Sequence, residues 1–108
     1  MIIAVDFDGT IVQHKYPEIG SEIPFATATI RRLIAEQHQV ILWTVRRGEL
    51  LQEAIDWCKA QIDNLRIDTH PNNKTMQHLC TSRGFVECGK ITIARDGSDR
   101  IIYHWIRK

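Results

Sequence analysis

The sequence carries almost no net charge, no cysteine pair at metal-binding spacing, no histidine pair at ligand spacing and no apolar run of membrane length. Fourteen Lys and Arg against thirteen Asp and Glu leave a formal charge of +1, so there is no electrostatic case for a nucleic-acid or acidic-surface partner. Cys58, Cys80 and Cys88 are odd in number and form no C-x-x-C. That argues against a disulfide framework or a zinc site and implies a reduced, cytoplasmic setting. The five histidines, His14, His38, His70, His78 and His104, show neither H-x-x-x-H nor H-E-x-x-H. The leading apolar run is far too short to cross a bilayer and no basic region precedes it, so neither a membrane segment nor a secretory signal is expected.

What is present begins with Ile2-Ile3-Ala4-Val5-Asp6-Phe7-Asp8-Gly9-Thr10. Four consecutive apolar residues predict a strand buried on both faces, with Asp6 and Asp8 emerging at its carboxyl end, where open α/β sheets place ligands. The two carboxylates are two residues apart and can point to one side, with Phe7 packing the other way. Such a pair can hold a hard cation or divide nucleophile and proton carrier between them. The alternative is a strand end followed by a plain Asp-Gly turn.

The chain of 108 residues supports one domain and one core. Residues 11–20 contain Pro, Gly and mixed polar side chains, which predicts a loop or flap, with His14 and Lys15 either near a bound phosphate or simply solvated. Ser21 offers an N-cap and Pro24 a first turn for a helix from about Pro24 to Gln37. Val40 to Trp43 repeats the fully apolar pattern and predicts a second strand parallel to the first. Thr44 and Arg46 follow at the same edge. They either serve a phosphate, by hydroxyl and by charge, or cap the next helix and stand in solvent. The second helix is expected from about Gly48 to Gln61, with Leu50, Leu51, Ala54, Ile55 and Cys58 inward.

Beyond Asp63-Asn64 the pattern changes. Leu65-Arg66-Ile67-Asp68-Thr69 alternates, which predicts a strand covered on one face only. A third helix is expected over Asn73 to Arg83, stopped by Gly84. Two apolar-rich runs around Asp96-Gly97-Ser98 then predict a terminal antiparallel hairpin. The expected fold class is α/β: a single Rossmann-like layered domain, residues 1–108, with parallel central strands and that hairpin at the sheet edge. Apolar surface left by the third strand and the hairpin makes a homodimer plausible.

The order D-F-D-G-T-I-V, continued through Val40-Ile41-Leu42-Trp43-Thr44-Val45-Arg46, resembles the N-terminal half of small haloacid dehalogenase superfamily hydrolases, to about residue 59. That resemblance implies Asp6 as a nucleophile forming an aspartyl-phosphate, Asp8 as general acid and base, both as Mg²⁺ ligands, and Thr44 with Arg46 as phosphate contacts. Residues 65–105, with R-I-D-T-H-P-N-N-K and D-G-S at the hairpin tip, resemble the C-terminal part of GNAT acetyltransferases. There Asn73 and its helix would lie along coenzyme A, although the sequence lacks a Gly-rich pyrophosphate-binding segment and Asn73 also suits a helix start.

Neither half is whole. The hydrolase-like part lacks its late lysine and its further acidic residues, for which Lys74, Lys90, Asp96 and Asp99 are the available substitutes. Mg²⁺ held by what remains would bind weakly. The sequence therefore predicts a recombined or engineered chimera, joined near Ala60 to Leu65, with no complete native active site but a phosphate- or Mg²⁺-accepting remnant. The competing expectations are a Mg²⁺-dependent phosphatase and a coenzyme A-binding module.

Overall fold

The computed structural model describes residues 1–92 and 97–107. It is a mixed α/β domain with a five-stranded mixed sheet, three helices and a separate two-stranded ribbon. In chain order the elements are β1 (Ile2–Asp6), β2 (Val12–Lys15), β3 (Glu18–Glu22), α1 (Ala26–Ala35), β4 (Gln39–Trp43), α2 (Gly48–Gln61), β5 (Asn64–Thr69), α3 (Lys74–Ser82), β6 (Val86–Thr92) and β7 (Asp99–Ile106). The sheet order is β1-β4-β5-β7-β6. β1, β4 and β5 run parallel, and β7 is antiparallel to both β5 and β6.

Register explains the core. Val5, Leu42, Ile67 and Tyr103 are successive partners across the sheet, so their side chains share one face. They join one apolar cluster with Ile30 of α1, Leu51, Ala54, Ile55 and Cys58 of α2, and Cys80 of α3. Burial pushes the Cys58 thiol up to about 12, as expected of a small core residue. Ala4, Ile41, Arg66 and His104 form the neighbouring row on the opposite face, outside that cluster.

Four expectations need correction. β1 is an edge strand, not a central one, and Ile2 is 50% exposed. An apolar run records what a strand can bury but not how many neighbours it finds. Conversely, β5 is the middle strand, and Leu65, Ile67, Asp68 and Thr69 are all buried. Its alternating pattern suggested a half-exposed strand because the polar Asp68 is covered by pairing rather than by apolar packing. Residues 11–20 include strands, not only a loop. β2 and β3 pair antiparallel across a cis Tyr16-Pro17 peptide, and Gly20 passes so close to the Gln13 carbonyl that a Cβ has no room. Finally, α1 begins at Ala26 and is not capped by Ser21. The Glu22 carboxylate accepts from both the backbone N–H and the hydroxyl of Thr27, at 3.0 and 2.7 Å, and serves that end instead.

α2 spans the expected residues. α3 is capped as its sequence suggests, the Asn73 side chain accepting from the Met76 N–H at 3.0 Å. Ile93, Ala94 and Asp96, which the expected terminal turn and one candidate metal ligand involve, lie outside the described residues.

Candidate active-site mouth and neighbouring crevice

The aspartate pair sits where β1 ends beside β4. The strand is prolonged by one bond, Phe7 N–H to the Trp43 carbonyl at 3.1 Å. The chain then turns sharply: Gly9 adopts φ +89° and donates to the Val12 carbonyl, while the N–H groups of Ile11 and Val12 return to the Phe7 carbonyl. Phe7 is fully buried and meets the Trp57 ring edge-on at 5.7 Å. This turn leaves Asp6 exposed and draws Asp8 inward.

Asp8 is not free. Arg46 grips it bidentately, Nε to Oδ2 at 2.7 Å and Nη2 to Oδ1 at 2.8 Å. The remaining guanidinium hydrogens go to the carbonyls of Pro17 at 3.1 Å, Glu18 at 2.9 Å and Leu50 at 3.5 Å. The five donors of an arginine are thereby matched. Its side chain is completely buried, with Phe7 and Tyr16 rings each 5.3 Å from its central carbon. Hydrogen bonding from Arg46 outweighs burial and holds the Asp8 carboxyl below its ordinary value, and the same contact raises Arg46. A carboxylate held ionised in this way has no proton to donate near neutrality.

Thr44 is half-buried, and its hydroxyl oxygen accepts from the Arg46 backbone N–H at 3.1 Å. It closes a local turn and does not cap α2, whose N-cap is Arg47. The fold thus brings Asp8, Thr44 and Arg46 together, but ties Arg46 to Asp8 and leaves no face of its guanidinium for a phosphate. Asn73 lies at the α3 start, near the end of β5.

Of the proposed substitutes for missing catalytic groups, the three described ones lie elsewhere. Asp99 begins β7, three strands from β1, about 14 Å at the usual ~4.8 Å strand spacing, and accepts from the Thr92 hydroxyl. Lys90 is on β6, at the sheet's far edge. Lys74 opens α3 and is exposed. Among the described residues no group of three or more His, Cys, Asp or Glu side chains could hold a metal ion. Mg²⁺ requires near-octahedral oxygen ligation. With one carboxylate saturated by arginine, the described residues at this mouth do not by themselves make such a shell.

A second arrangement escaped the sequence reading. At the carboxyl ends of β4 and β5 a crevice of about 850 Å³ opens between α2 and α3. Asp68 and Arg100 are diagonal neighbours on one sheet face and meet at 3.0 Å, Nε to Oδ2. These two atoms are poorly aligned, and neither has a hydrogen-bond partner among the described residues. The Thr69 hydroxyl, on a residue 1% exposed, is likewise without a partner among the described residues. Polar residues closing a parallel strand, Asp68-Thr69-His70, were the available signal. Arg100 becomes visible only once the β5–β7 register is known.

No family model and no curated protein matches the chain. A solved structure of a conserved protein from Bacteroides thetaiotaomicron is similar, at 67% identity and a TM-score of 0.55 over 56% of this chain. The chain spans 50% of that protein's length.

Proposed function

We propose that the chain is a recombined α/β protein without a complete native active site, in which the aspartate motif survives as a structural remnant. The observation carrying this reading is the Asp8–Arg46 pair, which consumes the carboxylate that acid–base chemistry needs and the guanidinium that a phosphate needs. On this view β1-α1-β4-α2 comes from one Rossmann-like parent, and β5, α3 and the strands β6 and β7 are foreign material added at its side. A small phosphate-containing ligand would bind weakly beside exposed Asp6, Mg²⁺ would add little, and the exposed edge of β1 could pair two copies in the cytoplasm.

Hydrolysis of p-nitrophenyl phosphate, with and without Mg²⁺, tests the reading in the parent and in Asp6→Asn. The expected result is no release above buffer in any arm. Magnesium-dependent turnover abolished by Asp6→Asn would replace it with an aspartyl-phosphate phosphatase. Coenzyme A should leave the melting temperature unchanged, and a shift lost in Asn73→Ala would instead favour the acetyltransferase-like half as the functional one.

A further inference from the structure

We propose that the crevice between α2 and α3 binds an organic carboxylate: a monoanionic head on an apolar body. This goes beyond the reading above and involves neither Asp6 nor Asp8.

The crevice volume of about 850 Å³ lies within the range of small-molecule sites. Its wall offers three kinds of group that want an anion. The first is the start of α2, a 14-residue helix whose N-cap, Arg47, supplies no side-chain hydrogen bond, so the first-turn N–H groups lack that partner. Gly48 lines the crevice at φ +55°, and a Cβ built there would meet nothing within 4 Å, so the backbone is open to close approach. The second is Thr69, a residue on the wall of the same space whose buried hydroxyl has no hydrogen-bond partner among the described residues. A buried hydroxyl carries a desolvation cost that a bound acceptor would relieve. The third is His70. Its Nδ1 accepts from the Asn72 N–H at 3.0 Å, so the neutral ring carries its hydrogen on Nε2 and can donate.

Charge selects the ligand's valence. Arg46 is cancelled by Asp8, and Arg100 lies within ion-pair distance of Asp68. Arg47 is exposed and forms no ion pair among the described residues, which adds one unpaired cation to the wall, with the Glu49 carboxylate in the first turn of the same helix. One positive charge matches a carboxylate better than a phosphate dianion. Leu51, Met76 and Leu79 line the remaining wall and suit an aliphatic or aromatic body.

The test is titration of 4-phenylbutyrate into the ¹⁵N-labelled full chain, followed by amide shifts, with 4-phenylbutanol and phenyl phosphate in parallel. The expected result is a dissociation constant of about 1 mM, ordinary for so small a ligand, with shifts centred on residues 47–51 and 69–73. The alcohol should bind about tenfold more weakly and the phosphate no more tightly than the carboxylate. Arg47→Gln, at an exposed position, should weaken binding about tenfold, and Thr69→Val about threefold. No shifts at 20 mM, equal binding of acid and alcohol, tighter binding of the phosphate, or indifference to both substitutions would each overturn the proposal. Shifts confined to residues 6–10 would overturn it too. Catalytic turnover at Asp6 would contradict the inert-remnant reading while leaving this assignment standing.

Discussion

Asp8–Arg46 and Asp68–Arg100 lie at the same end of one sheet and have the same chemistry, yet they are in opposite states. In the first pair the arginine is fully enclosed, and its donors are matched to a carboxylate and three carbonyls. In the second the carboxylate is 3% exposed, the arginine is 29% exposed, their shortest contact is misaligned, and a neighbouring threonine hydroxyl has no partner. A saturated network has nothing left to offer a ligand, whereas an unsaturated one beside a cavity does. The motif that draws the eye in the sequence is therefore the closed site, and the open one carries no motif.

Removing the guanidinium should separate the two pairs most strongly. Arg46→Met leaves Asp8 without its counter-charge and strips three carbonyls on β3, its approach and α2 of a donor, so urea denaturation should show a loss of about 3–5 kcal/mol. Arg100→Met should cost less, about 1–2 kcal/mol by the same measurement, because its partial exposure lets water replace it. Comparable losses at the two positions would erase the distinction.

Acid titration gives a signed version of the same contrast. The folded pKa of Asp8 lies below its ordinary 3.8. Between those values the unfolded chain binds the extra proton, so the pair's stabilisation is whole above pH 3.8 and is lost as pH falls through the folded value. Asp8→Asn should abolish that part of the acid slope. His104 works at higher pH: burial, aided by Arg66, depresses its pKa below 6.5, so the unfolded chain takes up the proton first and stability falls as pH drops below 6.5. His104→Gln should flatten that segment of the curve.

Thr69→Val carries the smallest expected effect and the opposite sign. Replacing an unpartnered buried hydroxyl with a methyl should raise stability by up to about 1 kcal/mol, read from the urea midpoint. A loss of stability would mean that the hydroxyl is satisfied in solution and that the crevice is no more open than the mouth.

Local features were legible in the sequence where one segment decides them. The helical spacing of Leu51, Ala54, Ile55 and Cys58 located α2, Asn73 marked the start of α3, and the Asp-Phe-Asp-Gly run marked a strand end followed by a tight turn. Features that depend on a distant partner were not. Nothing in Val45-Arg46-Arg47 states which arginine turns inward to a carboxylate 38 residues earlier. The ribbon of β2 and β3 was hidden because His14, Lys15, Tyr16 and Pro17 have the composition of a loop, and its pairing is set by the close approach of Gly20 to Gln13. β5 looked half-exposed because its polar Asp68 is covered by Arg100, which arrives from β7.

The most direct test is a ¹³C carboxyl titration of Asp8, repeated in 10 mM Mg²⁺. A midpoint below 3.8 that magnesium leaves in place, with the Arg46 Nε–H signal unmoved, is the expected result for a carboxylate committed to the fold. A midpoint at or above 3.8, or a magnesium-induced shift that releases the Arg46 signal, would show the aspartate free for chemistry and contradict the account.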